Sequence, residues 1–209
     1  MQSTGEPTNE GRTASPGDGS PPVNSPQWWD DYFVTDWEAN HGSAQTRHFM
    51  ERLVASLPEL ARPHFARERA TILDWGCAHG EGVDVLAKAF PGARVRGLDV
   101  ARNAIATART RYPQHEFVVA DGTDDGAAAT RADVVVCSNC LEHFEQPWPV
   151  AERVAALAEQ VLVLLVPLEE QEPLCASHCV RFAANDFPQH LGALHRVAMR
   201  RVAVDAAFW

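Results

Sequence analysis

The chain has 209 residues, 45% of them apolar, with 18 Lys and Arg against 28 Asp and Glu, a formal net charge of −10. That supports one domain with a core, and the acidic balance excludes a protein whose main task is to grip nucleic acid, which needs clustered Lys and Arg. The five cysteines are odd in number, no charged-then-apolar leader opens the chain, and the longest apolar run, 161–166, is far too short to span a bilayer, so reduced thiols, a cytoplasmic location and no membrane contact are expected.

Residues 1–26 are mostly Gly, Pro, Ser, Thr and Asn, a composition that cannot offset its ordering entropy, and read as a disordered tail. Residues 27–66 read as a helical lid. Trp28, Trp29, Tyr32, Phe33 and Trp37 crowd together there, and a helix over 45–57 spaces Phe49, Leu53 and Leu57 four apart before Pro58 and Pro63 break it. From residue 67 to 209 strands and helices alternate. Strands are expected at 70–75, 94–99, 116–120, 132–137 and 161–167. Helices are expected after Gly80 (Val83, Leu86, Ala87 and Phe90 on one face), over 101–111, and from Pro147 to about 159. Apolar strands alternating with amphipathic helices predict an α/β fold, a mostly parallel Rossmann-like sheet with helices on both faces. Residues 194–204 can supply one further strand. No clear segment comes after it for a last antiparallel strand, and an unpaired edge beside the fifth strand would be an aggregation or dimerisation surface, open to a homodimer.

In such sheets ligands bind outside the carboxyl ends of the strands. The first strand ends at Asp74 and runs into Gly76, Cys77, Gly80 and Gly82, a glycine loop at a helix start with free N–H groups. The second ends at Asp99, an acid that suits a ribose diol. The third ends at Asp121-Gly122, a carboxylate and an N–H that suit an adenine edge. The fourth ends in the polar run Ser138-Asn139-Cys140-Leu141-Glu142-His143. The NAD fingerprint G-x-G-x-x-G does not occur between Gly76 and Gly82.

Over residues 70–167 this series resembles the class I S-adenosylmethionine (SAM)-dependent methyltransferases. The resemblance implies that Asp74, Gly76, Cys77, Gly80 and Gly82 surround the methionine end of the cofactor. Asp99 would hold the ribose, Val100 would lie beside the adenine, Asp121 and Gly122 would hold its edge, and Asn139 would offer its carbonyl to the amino group. Ala78 departs from the usual glycine and is tolerable at negative φ. Glu142 and His143, a pair shared by many members, are the candidate catalytic residues, His143 as general base.

Glu142, His143 and His178 also resemble part of the ligand set of metal-dependent 2′-O-methyltransferases of small RNAs. Those carry a further Glu where this chain has Asn139, so no metal is expected. Cys175, His178 and Cys179 lack a second ligand pair for zinc. The strand-four motif is not that of DNA adenine methylation, so no nucleic acid partner is expected. The acceptor would be a small molecule, methylated at O or N. The lid segment offers Trp28, Trp29, Tyr32, Trp37, Gln45 and Arg47, of which Trp28, Tyr32, Trp37 and Gln45, with His178, are the expected substrate contacts. The layout after the fifth strand resembles members associated with glycan or natural-product assembly. The alternative is a non-catalytic binding or partner subunit with the same fold.

Overall fold

The computed structural model describes residues 19–122 and 130–204. Five parallel strands form one sheet in the order β3-β2-β1-β4-β5. They are β1 (Thr71–Trp75), β2 (Arg94–Asp99), β3 (Glu116–Val119), β4 (Ala132–Ser138) and β5 (Ala158–Leu165). This is the expected Rossmann-like α/β architecture. The order reverses at β1, whose neighbours are β2 and β4, so the crevice at the C-terminal ends of β1, β2 and β4 is where the topology places a ligand.

The pleat sorts side chains to two faces. Ile72, Val95, Val134 and Val136 pack with helices α2 (Gly42–Ser56), α3 (Arg62–Ala66), α4 (Glu81–Ala89) and α5 (Arg102–Arg111). Leu73, Leu98, Val135 and Cys137 pack with α6 (Pro147–Leu157). Helix α4 carries Glu81 and Asp84 in its first turn and Lys88 in its last, a charge order that complements the helix dipole. The first helix, α1 (Pro26–Thr35), is capped by the Ser25 hydroxyl, which accepts from the Trp28 N–H.

Several details differ from expectation. Residues 19–26, read as part of a tail, make tertiary contacts: the Asn24 side-chain N–H donates to the Ser177 carbonyl at 2.7 Å. The rest of that stretch, 1–18, and most of the β3–β4 connection lie outside the described residues. Helix α6 ends and β5 begins at Ala158, because Ala132 pairs with Ala158 before the register shifts toward Val134 and Val161. The exposed Glu159 and Gln160 hide that extension in the sequence. Residues 194–204 do not add a strand to the sheet. Leu194–His195 (β7) pairs with His190–Leu191 (β6) in a separate two-stranded ribbon. Arginine side chains tether the stretch beyond β7: Arg201 binds Glu169 with two bonds of 2.9 and 2.7 Å, and the Arg52 side chain donates to the Ala203 carbonyl. Among the described residues no helix is long and apolar enough to cross a membrane.

Phe65 is completely buried and its ring lies 5.0 Å from that of Phe90, anchoring the short α3 to the core. Phe65→Ala should cost about 3–5 kcal/mol, measured by urea denaturation.

Candidate functional site

The loop between β1 and α4 is built by two backbone reversals. Gly76 (φ 75°) and Gly80 (φ 91°) occupy the left-handed region, which glycine enters without strain. A side chain at Gly76 would also collide with Cys140 Sγ, 2.5 Å from the Cβ position. The Gly76 and Cys77 N–H groups both donate to the Leu98 carbonyl, folding the loop over β2. The Cys77 Sγ turns inward, packing against Gly97 and donating to the Ala78 carbonyl at 3.8 Å. Ala78 stands at φ +48°, not in the negative region expected for it. The cause lies beside it: its N–H donates to Asp99 Oδ2 at 2.9 Å, and the other oxygen of Asp99 accepts from the Ala101 N–H at 2.9 Å. The acid at the end of β2 therefore braces the glycine loop and the start of α5.

Asp74, Glu81, Asp99 and Glu142 are buried near this loop, as is Asp84, which is paired with Arg47 and Lys88. Burial, with Asp99 and Glu81 close by, pushes Asp74 up to about 7. Burial likewise raises Asp99, against the backbone N–H groups that favour its ionised form. Asp74 Oδ2, Glu81 Oε2, Glu142 Oε2, His79 Nε2 and the indole N–H groups of Trp37 and Trp75 are buried without a hydrogen-bond partner. Unpaired buried polar atoms are costly, and both signs of partner are missing here.

The remaining expected cofactor contacts fall at the strand ends. Val100 is half-buried just beyond β2, Asp121 is exposed just past β3, and Gly122 lies against the Trp75 indole. Gly82 approaches the Asp74 carboxylate. Asn139 takes a left-handed turn (φ 53°) after β4, its N–H donating to Leu165.

Helix α1 lies across this end of the sheet. Asp30 accepts from the Asn103 N–H at 2.7 Å, supplying the cap that α5 lacks at Ala101. The Trp29 ring packs on that of His143 at 4.8 Å. Trp28 stacks on Tyr32 with centroids 5.0 Å apart. Trp37 packs on Gly42 and near His79, and Gln45 is half-buried at the start of α2. Glu38 latches the intervening segment: it accepts from Arg111 at 2.5 Å and meets His79 Nδ1 at 3.2 Å. Trp29, Asp30, Glu38, His79 and the Trp75 indole were not singled out as contacts from the sequence. Trp29 is the aromatic that touches the candidate catalytic pair.

Glu142 and His143 occupy a single 3-10 turn after β4. His143 Nδ1 lies 3.0 Å from the Ser177 carbonyl, so it carries the proton and leaves Nε2 free. Burial, with His178 nearby, pushes His143 down to about 4. Burial, with Glu170 adding to it, pushes Glu142 up to about 8. The structure brings His178 from the loop after β5 to within 5.1 Å of the His143 ring.

Residues 72–163 match a family described as a methyltransferase domain. A trans-aconitate 2-methyltransferase of Paracidovorax citrulli is 41% identical over 69 residues, 33% of this chain and 24% of that protein. One of Variovorax paradoxus is 32% identical over 108 residues, 51% of this chain and 42% of that protein. The chain spans less than half the length of these curated relatives. In fold it resembles magnesium protoporphyrin IX methyltransferase of Synechocystis PCC 6803, crystallised with SAM, at a TM-score of 0.53 and 20% identity, covering 66% of this chain and 74% of that one. It also resembles a Haloferax volcanii methyltransferase solved in complex with the Trm112 activator, at a TM-score of 0.58 and 19% identity, covering 74% and 70%.

Ala78 holds a conformation that costs a non-glycine residue about 1 kcal/mol. Ala78→Gly should therefore hold or raise stability by up to about 1 kcal/mol, whereas Ala78→Pro, which deletes the N–H bound to Asp99, should lower it; thermal denaturation of both variants decides.

Proposed function

We propose that this chain, whose residues 72–163 match a methyltransferase-domain family, is a class I SAM-dependent methyltransferase that binds SAM over its glycine loop and methylates an O or N of a small molecule. The observation that carries the reading is the buried Asp74 carboxylate with an unpartnered oxygen beside that loop. A cationic ligand with both donors and acceptors fits the orphaned atoms. Asp74 and the Asn139 carbonyl would hold an ammonium, and the buried, unpartnered Trp37 N–H offers a donor for a carboxylate. Asp99 would hold the ribose: each carboxylate oxygen has a second lone pair, so two hydroxyls can bind without breaking the brace to Ala78 and Ala101. Val100, Asp121 and Gly122 would frame the adenine.

When bound, the cofactor supplies a methyl group on a sulfonium, already activated for in-line displacement. The chain's own residues position and enclose. Helix α1 brings Trp28, Trp29 and Tyr32 over the mouth and excludes water. Glu142, His143 and His178 line its polar side, where His143 Nε2 is free to accept a proton from the acceptor. The relatives named for trans-aconitate raise a polycarboxylate acceptor as a second reading. Against it, Arg47 is paired with Asp84, and Arg111 with Glu38 and Glu81. An aromatic-lined mouth whose nearby arginines are already paired favours a sugar-like or secondary-metabolite hydroxyl or amine.

Calorimetric titration with S-adenosylhomocysteine should show binding that NADH does not, and Asp99→Ala should lose it; binding of NADH, or of neither, would refute the reading. His143→Ala should leave that affinity unchanged and lower turnover at least about tenfold, assayed across sugars, polyols, amines and tricarboxylates. Turnover at no acceptor with intact cofactor binding would favour the non-catalytic subunit.

Asp74 adds a pH dependence whose sign differs between stability and binding. Its folded value, about 7, lies above the ordinary carboxylate value, so the ligand-free protein gains stability on the acid side and loses it as pH rises from about 4 through 7. An ammonium needs the ionised form, so homocysteine-cofactor affinity should rise roughly tenfold from pH 6 to pH 8. Asp74→Asn should flatten both trends.

A further inference from the structure

We infer that Glu142, His143 and His178 form a binding site for a divalent first-row transition ion. One ligand atom from each, a carboxylate oxygen and two ring nitrogens, lies within 4.8 Å of the others. An ion with bonds of about 2.1 Å draws its ligands to roughly 3.4 Å from one another, so closure asks each side chain to move by less than about 1 Å.

The supporting groups around the three are those a metal site needs. Metal-bound histidine usually donates its second ring N–H to a carboxylate or a backbone carbonyl, which fixes the ring and leaves the ligating nitrogen bare. Both histidines have such a partner. His143 Nδ1 lies 3.0 Å from the Ser177 carbonyl, and His178 Nδ1 lies 2.7 Å from Glu170 Oε2. Each Nε2 is thereby left as an acceptor facing no proton of its own. Glu142 is 1% exposed, takes a side-chain hydrogen bond from Asn139, and keeps Oε2 without a partner. A buried carboxyl group held at one oxygen and open at the other, opposite two ring nitrogens, lacks only a cation. Asn139 thus stands behind Glu142, orienting the ligand.

Two imidazoles and one carboxylate suit zinc, iron, cobalt or manganese over magnesium or calcium, which prefer all-oxygen sets. Three protein ligands leave coordination positions open. With the ion bound, His143 Nε2 is a ligand and no longer the proton acceptor; an acceptor oxygen taken at the ion would instead be held and made more acidic, which selects acceptors with a free hydroxyl or adjacent oxygens. That extension rests on the methyl-transfer reading, whereas ion binding does not.

The full chain, stripped with chelator, should take up one Co(II) with visible d–d bands of a nitrogen- and oxygen-ligated centre, and Zn(II) should displace it. Glu142→Gln and His178→Ala should abolish the bands. Glu170→Gln, which touches no ion, should weaken Zn(II) binding roughly 10–100-fold. All three variants should keep their S-adenosylhomocysteine affinity, which shows that they fold. Absence of one-to-one binding, equal binding in wild type and His178→Ala, or a thiolate-to-cobalt charge-transfer band abolished by Cys175→Ser or Cys179→Ser would overturn the assignment. Loss of ion binding with retained cofactor binding refutes this site alone; loss of cofactor binding with retained ion binding refutes the methyltransferase reading alone.

Discussion

The constraint on which the site depends is the burial of acids at the carboxyl ends of the central strands. Asp74 on β1 and Asp99 on β2 belong to neighbouring strands in parallel register, and both are almost fully enclosed. Neighbouring buried carboxylates disfavour each other's ionised form. The chain answers this differently for each. Asp99 is stabilised by backbone N–H groups and becomes a structural brace, while Asp74 keeps an oxygen with no partner and a strongly raised pKa. The fold thus carries an unmet demand for positive charge at one defined atom. That is a cost in the free protein and a binding determinant once a cation arrives.

The same economy explains the N-terminal segment. Helix α1 would have little to hold it against the domain through its own core, since Phe33 is its one buried residue. It is instead fastened at three points, each supplying a group the domain lacks. Asp30 caps α5, Glu38 joins Arg111 to His79 at the start of α4, and Asn24 reaches the loop of Ser177 that also steadies His143. Because these are polar ties over a half-buried aromatic layer, the segment can loosen without exposing the sheet's own core. That suits a cover over a site that must open to its acceptor.

How far the sequence could be read depends on which signals are local. The strands and their carboxyl ends were legible because apolar runs end in acids and glycines, and the parallel order comes from the alternation with helices. The sign of φ at Ala78 was not legible, because it depends on Asp99, 21 residues away in sequence. Trp28 and Trp29 are indistinguishable by composition. Only the pitch of α1 against β4 decides that Trp29 meets His143 while Trp28 stacks on Tyr32. The C-terminal stretch misled for the opposite reason. Its alternation of Val, Ala and Met with arginine reads as a strand, but the arginines find acceptors on Glu169, Phe187 and α2, and those bonds replace a ladder.

Asn139 shows most sharply how a sequence pattern and a geometry can point apart. Counted along the chain, it is a missing carboxylate, and a ligand set judged by residue type falls one short. In space it sits at a left-handed turn after β4 that returns its side chain to Glu142. A carboxylate there would add a further negative charge beside Glu142, itself already raised to about 8 by burial and by Glu170. An amide adds a donor instead, satisfying one oxygen of Glu142 and leaving the other directed by default toward the two imidazoles. In the proposed ion site the amide would therefore trade one ligand for the orientation of another, and the three remaining groups would leave positions open in place of a saturated set.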